Sequence, residues 1–229
     1  MVEGELLIRD AMASGFNPSE LIVREGSDVD VDLLCHGDTD IYSLSDNLFE
    51  KLSQTENGRS VIGVFELPNS SFDDFGSGDI VILDRLQDPG NVGTIIRTAD
   101  AAGVAGIITM KGTVDPFSPK ASRSAAGSIF RVPIVEVSDA DSLRKALNTL
   151  GAIGIALDLD GAVDLYDMTE ECRVAIMVGN EGAGLSRDLL EISDIRIKIP
   201  MREGIESLNA AMAFGIVIYE RVRRKCRKS

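Results

Sequence analysis

Apolar positions along the chain change period several times, and the changes mark out two units. Over residues 3–13 they recur every three to four positions, giving a one-sided helix that Ser14-Gly15 closes. Leu21-Ile22-Val23 and Ile41-Tyr42-Ser43-Leu44 read as strands, with a short helix over 29–34 between them. Ser45-Asp46 caps a helix that runs to Ser53, and 60–65 is a third strand. Residues 1–67 therefore form a small α/β unit. The stretch 68–78 is polar, carries Pro68, Gly76 and Gly78, and reads as a linker.

From residue 79 onwards the alternation is more regular. Strands are expected at 80–83, 107–109, 132–137, 153–157, 174–178 and 195–199. Helices fall at 92–102, where Gly103 ends the first, at 120–128, and from Asp139 to Leu150; a terminal helix runs from Glu206 to about Arg224. Short apolar strands alternating with helices predict a parallel sheet covered on both faces. The fold class is α/β throughout.

Composition narrows the partners. With 44% hydrophobic and 26% charged residues, the 229-residue chain can bury a sizeable core. Its start has neither a basic region nor an apolar core, and no apolar run approaches a membrane span, so no membrane role and a cytoplasmic location are expected. Three scattered cysteines fit reduced thiols, and no metal-site spacing occurs. The single histidine, His36, all but excludes histidine triads and histidine metal cages. The net charge of −14 opposes nucleic-acid binding, but it is unevenly spread. Residues 1–78 hold four Lys/Arg against sixteen Asp/Glu, whereas 79–229 hold nineteen against twenty-one. The last nine residues carry six cations and no acid, which suits either a helix C-terminus or a phosphate contact.

Three strand-to-helix junctions carry polar residues that packing does not require. The first is Asp88-Pro89-Gly90-Asn91-Val92-Gly93, followed by Arg97; the second is Gly179-Asn180-Glu181-Gly182-Ala183-Gly184; the third runs from Ile199-Pro200 through Ser207-Leu208-Asn209. Such junctions, at strand ends of an open sheet, build ligand crevices. Taken singly, each has a plain reading: Asn91, Ser207 or Asn209 as a helix cap, and the second loop as a glycine-rich turn. The order G-x-x-G-x-G departs from the dinucleotide fingerprint, and Glu181 would repel a pyrophosphate, so a ligand with a positive centre fits better. Lys120 and Arg123, in a small-residue segment, are candidate phosphate contacts.

Together the three segments resemble the SpoU (TrmH-like) family of RNA ribose 2′-O-methyltransferases, in the SPOUT superfamily. The motifs are Asn91-x-Gly93-x-x-x-Arg97-x-Ala99-x-Ala101-x-Gly103, then Gly179-Asn180-Glu181-Gly182-x-Gly184-Leu185-Ser186, then Ile199-Pro200-Met201 with Glu206-Ser207-Leu208-Asn209. The resemblance implies a knotted methyltransferase domain over 79–229, with a deep trefoil knot and a parallel sheet. Residues 1–67 resemble the small ribosomal-protein-L30e-like substrate-binding domain of some members, with its leading segment missing. S-adenosylmethionine is the implied cofactor, with no metal, held by the backbone around Gly179, Ile199 and Leu208. Asn91, Arg97, Glu181, Ser207 and Asn209 would form the catalytic cluster. A homodimer through the C-terminal domain and an RNA substrate follow, with rRNA favoured over tRNA. The alternatives are a tRNA 2′-O-methyltransferase and a non-catalytic knotted RNA-binding module.

Overall fold

The computed structural model describes residues 1–35, 37–53 and 59–226; His36 and the last two cations, Arg227 and Lys228, lie outside them. The chain divides into two compact units.

Unit 1 comprises Met1–Asn69 together with Ala126–Arg131. Strands β1 (Val2–Glu3), β2 (Glu20–Arg24), β3 (Asp40–Leu44) and β4 (Val61–Val64) form a mixed sheet in the order β1-β4-β2-β3. Helices α1 (Glu5–Ala13) and α2 (Asp46–Leu52) complete it. The apolar side of α1 supplies Ile8, which packs with Leu21, Leu34 and Val61. The helix expected over 120–128 stops early, because Ala126 and Gly127 turn left-handed, at φ +48° and +84°. The chain then delivers Phe130 onto the rings of Phe16 and Phe65, with centroids 5.3 and 5.4 Å away.

Unit 2 comprises Ser70–Ala125 and Val132–Ser229. Its strands are β5 (Ile80–Leu83), β6 (Gly106–Met110), β7 (Ile134–Val137), β8 (Ile153–Leu157), β9 (Val163–Asp164), β10 (Val174–Val178) and β11 (Ile195–Lys198). All pair in parallel, in the order β7-β6-β5-β10-β8-β11-β9. Every residue of β5, β6 and β10 is buried, which is why these strands read as unbroken apolar runs. Helices α3 (Pro89–Ala101), α4 (Pro119–Ala125), α5 (Ala140–Leu150), α6 (Arg187–Ile192) and α7 (Ala210–Cys226) flank the sheet. Within the stretch read as a linker, Phe72 and Phe75 pack onto the core of this unit. Two strands slot between earlier ones: β10 between β5 and β8, and β11 between β8 and β9. The β8–β9 connection consequently lies hard against the exit of β11, where a Cβ on Gly161 would stand 2.5 Å from the Ile197 carbonyl carbon.

The terminal helix begins at Ala210 rather than Glu206, because Asn209 is its cap: Asn209 Oδ1 accepts from the amides of Ala211 and Met212 at 3.0 and 3.2 Å. Its basic end is ion-paired within the unit. Arg221 and Asp79, each 3% exposed, form a bidentate pair at 3.0 and 3.1 Å, and Lys225 joins Asp79 at 2.9 Å. Arg223 and Arg224 both grip Glu220 at 2.7 Å. These pairs give the four cations a structural role, while the Arg223 and Lys225 side chains stay 47% and 53% exposed. Glu220 is held at a pKa of about 2, chiefly by the Arg223 hydrogen bond, against an ordinary 4.5. A depressed carboxylate stabilises the fold above its unfolded pKa and loses that contribution as pH falls through the folded one. Acid unfolding curves should show stability declining between about 4.5 and 2, and Glu220→Gln should flatten that part of the curve.

Candidate active site

The crevice opens at the C-terminal ends of β8, β10 and β11, where the strand order departs from sequence order. It encloses about 370 Å³. Leu157, Val178, Ile197, Ile199 and Leu208 give it apolar walls, and Gly179, Glu181 and Ser207 line it as well. Across residues 200–208 the backbone makes a single hydrogen bond of its own among the described residues, Ile205 N–H to Arg202 O at 3.3 Å. Its remaining amides and carbonyls are available to a ligand with donors and acceptors along a flat edge.

Gly179 sets how close the second loop can come. A Cβ there would sit 2.3 Å from Gly184 C and Leu185 N, so only glycine lets the turn fold back on the strand end. The turn is closed by paired amides of Asn180 and Gly184, at 3.0 and 2.9 Å. Asn180 also takes the Gly182 and Ala183 amides on Oδ1, at 3.0 and 2.9 Å. Sequence reasoning passed over Asn180; its place after a strand-ending glycine was the available signal.

Asn91 is not the cap of α3. Asp88 is, accepting the Gly90 amide at 3.0 Å, with Pro89 opening the helix, which moves its start three residues before the expected Val92. Asn91, 8% exposed, is thereby released from capping and turns inward. Its Nδ2 donates to Glu181 Oε1 at 2.9 Å, and its Oδ1 accepts from Asn209 Nδ2 at 2.8 Å. One residue from each of the three motifs thus meets in a single relay. Its polarity is fixed from both ends, because Asn209 Oδ1 is committed to α7 and Glu181 only accepts. Burial pushes the Glu181 carboxyl up, but the Asn91 bond and the amides of Gln87 and Asp88, at 3.4 and 3.5 Å, outweigh it and hold the pKa below the ordinary value. Glu181 is a fixed anion at neutral pH.

The other candidates stand apart from this relay. Ser207 lines the crevice with no side-chain partner among the described residues. Arg97 is exposed on α3, outside the crevice wall and likewise without a partner among the described residues. Lys120 bonds Asp88 Oδ1 at 3.1 Å, so it leans on the cap of α3. Arg123 is exposed on α4. Helices α3 and α4 pack tightly where a Cβ on Gly93 would stand 2.3 Å from Ala121 O, which explains that motif glycine structurally.

Residues 79–219, which include the whole crevice and relay, match the model of the SpoU rRNA methylase family. The chain belongs to that family. A Bacillus subtilis relative, 23S rRNA (guanosine(2553)-2'-O)-methyltransferase RlmP, is 34% identical over 226 residues, covering 96% of this chain and 86% of its own. A Streptomyces viridochromogenes relative, 23S rRNA (uridine(2479)-2'-O)-methyltransferase, is 35% identical over 79% of this chain and 66% of its own. Among solved structures, the SpoU methyltransferase AviRb from S. viridochromogenes in complex with AdoMet superposes with a TM-score of 0.90 at 30% identity, covering 98% of this chain and 89% of that one. The AdoMet-bound rRNA methyltransferase from Sinorhizobium meliloti gives 0.87 at 32% identity, covering 97% and 86%. Seen as a SpoU domain, the crevice fits the cofactor those structures hold. Its walls are largely apolar, and Glu181, an anion, is among the residues that line it.

Proposed function

We propose that this protein transfers the methyl group of S-adenosylmethionine to a ribose 2′-hydroxyl of rRNA. The observation that carries the reading is the Asn209–Asn91–Glu181 relay, one residue from each motif, whose Glu181 lines the crevice. Gly179, Ile199 and Leu208 would hold the cofactor, which supplies an electrophilic methyl on a sulfonium. No metal is called on.

The chain's own residues prepare the acceptor. Ser207, which lines the crevice, would hydrogen-bond the ribose, and Glu181 keeps Asn91 and Asn209 in one arrangement. Arg97 offers a forked set of guanidinium donors and no acceptor, so its role is to clamp the target phosphate and stabilise negative charge growing on the 2′-oxygen. Within one subunit it stands outside the relay, and a homodimer supplies the remedy. Met212, Ile216 and Tyr219 form an outward stripe on α7, with Met212 61% and Tyr219 49% exposed. A Cβ on Gly215 of α7 would stand 3.9 Å from Thr98, next to Arg97, so pairing through α7 would bring Arg97 towards the partner's crevice. The insertion of β11 between β8 and β9, with Gly161 pressed on its exit, supports a deep trefoil knot in this domain. Residues 1–67 serve as an L30e-like substrate domain. Their described arginines are engaged at home, Arg9 with Glu5, Arg24 with Asp46 and Arg59 with Glu3 O. Phosphate binding therefore falls mainly to residues 79–229, Lys120 and Arg123 included. These roles belong in the cytoplasm, where rRNA is made and modified. A tRNA substrate is the second reading, since a Synechocystis relative at 33% identity is named a tRNA/rRNA methyltransferase.

Asn91→Ala separates catalysis from stability. Losing two hydrogen bonds should cost about 1–2 kcal/mol and a few degrees of Tm. Methyl transfer to rRNA should fall by about 100-fold or more, because the relay is broken at its middle. Calorimetric melting beside tritiated-methyl incorporation checks both, and an equal loss of the two would return Asn91 to a purely structural role.

A further inference from the structure

Behind the crevice, the two loops that frame Glu181 are tied together by residues outside its lining. Asp84, 2% exposed at the end of β5, accepts the Ser186 amide on Oδ2 at 2.6 Å and Arg85 Nε on Oδ1 at 3.1 Å. Arg85 reaches on to Gly184 O at 3.4 Å, and its own carbonyl accepts Asn180 Nδ2 at 2.9 Å. Its amide is held by Thr113 Oγ1 at 3.0 Å. Arg85 is also left-handed, at φ +56°, a conformation that a non-glycine residue keeps only where its surroundings over-determine it. Both ends of the 180–186 turn are thus fastened to one dipeptide, and that dipeptide leads directly into Gln87 and Asp88, whose amides face Glu181.

We propose that Asp84 and Arg85 are a positioning pair for Glu181: they set the gap between 84–88 and 180–186 at which the Gln87, Asp88 and Asn91 donors all meet one carboxylate. The proposal rests on the methyltransferase reading above. The pair acts through Glu181 and touches neither cofactor nor ribose. Charged groups near Glu181 are Asp88, with its Lys120 partner from α4, the pair itself, and Asp158 and Glu206, which line the same crevice. Loosening the clasp takes amide donors away from Glu181, so its carboxyl should titrate at higher pH.

The test uses the full chain with Asp84→Asn and, separately, Arg85→Asn. Asparagine tolerates the left-handed backbone, so the second variant removes the guanidinium while keeping the turn. The readouts are the Glu181 carboxyl titration by carbon-13 NMR, kcat and KM for S-adenosylmethionine, and Tm. Both variants should raise the Glu181 pKa and lower kcat by about tenfold or more, with KM changing less than about threefold. An unmoved Glu181 titration overturns the proposal, whether kcat is unchanged or falls in step with Tm. A wild-type protein that transfers no methyl to RNA would strike the functional reading instead, and the NMR titration would still report on the pair.

Discussion

Gly179→Ala should cut methyl transfer by about 100-fold or more while leaving a folded protein. The added methyl would stand 2.3 Å from Gly184 C and Leu185 N and 2.6 Å from Gly184 O, all backbone. No side chain can swing aside to relieve this, so the turn must move outward by roughly 1 Å to restore normal contact. That turn is one wall of the crevice and carries Glu181. A displacement on the order of 1 Å in a positioned group can cost about 100-fold in rate. Both the affinity for S-adenosylmethionine and kcat should fall by about that factor or more, measured by calorimetry and by methyl incorporation. Gly182→Ala is the matched control, since its Cβ would meet only Asn180 Oδ1, at 3.8 Å. Equal losses in both variants would mean that the methyl blocks the crevice, and the account of the turn would be wrong.

Asp79→Ala should be the most damaging single change to stability. It leaves Arg221, 3% exposed, without its carboxylate, and removes one acceptor of Lys225 and the side-chain acceptor of the Val174 amide at 3.2 Å. Removing one partner of a buried pair costs about 3–5 kcal/mol. For a chain of this size the Tm should drop by about 10 °C. Because a buried charge, rather than a lost attraction, drives the loss, Asp79→Leu combined with Arg221→Met should recover much of it. A double variant as unstable as the single one would show that the carboxylate matters for another reason. The measurement is thermal unfolding followed by circular dichroism at neutral pH.

The sequence showed the sheet of unit 2 plainly, because strands buried on both faces must be apolar without interruption, as in Ile80 to Leu83. It also showed which three loops converge. Cap assignments were harder. Asp88 and Asn91 are both good caps, and only the Pro89 between them, suited to the first helical position, favours Asp88. The apolar run into α7 gave no sign that 206–209 would stay outside the helix, since Asn209 had to cap it for that to happen. Two-residue strands such as β9 carry too little pattern to read. The fate of the basic tail was illegible for another reason: the partner of Arg221 is Asp79, 142 positions away, and no local pattern encodes that contact. The Asp84–Arg85 clasp was hidden likewise, since its partners Asn180, Gly184 and Ser186 lie about a hundred positions downstream.

The most direct test is chemical identification of the product. Purified protein is incubated with S-adenosylmethionine carrying a labelled methyl and with rRNA from a strain lacking this protein, and the RNA is digested to nucleosides for mass spectrometry. A ribose-methylated nucleoside, about 100-fold or more scarcer when Asn91→Ala replaces the wild type, is the predicted result. Label on a nucleobase, or no label in rRNA at any enzyme concentration, would contradict it.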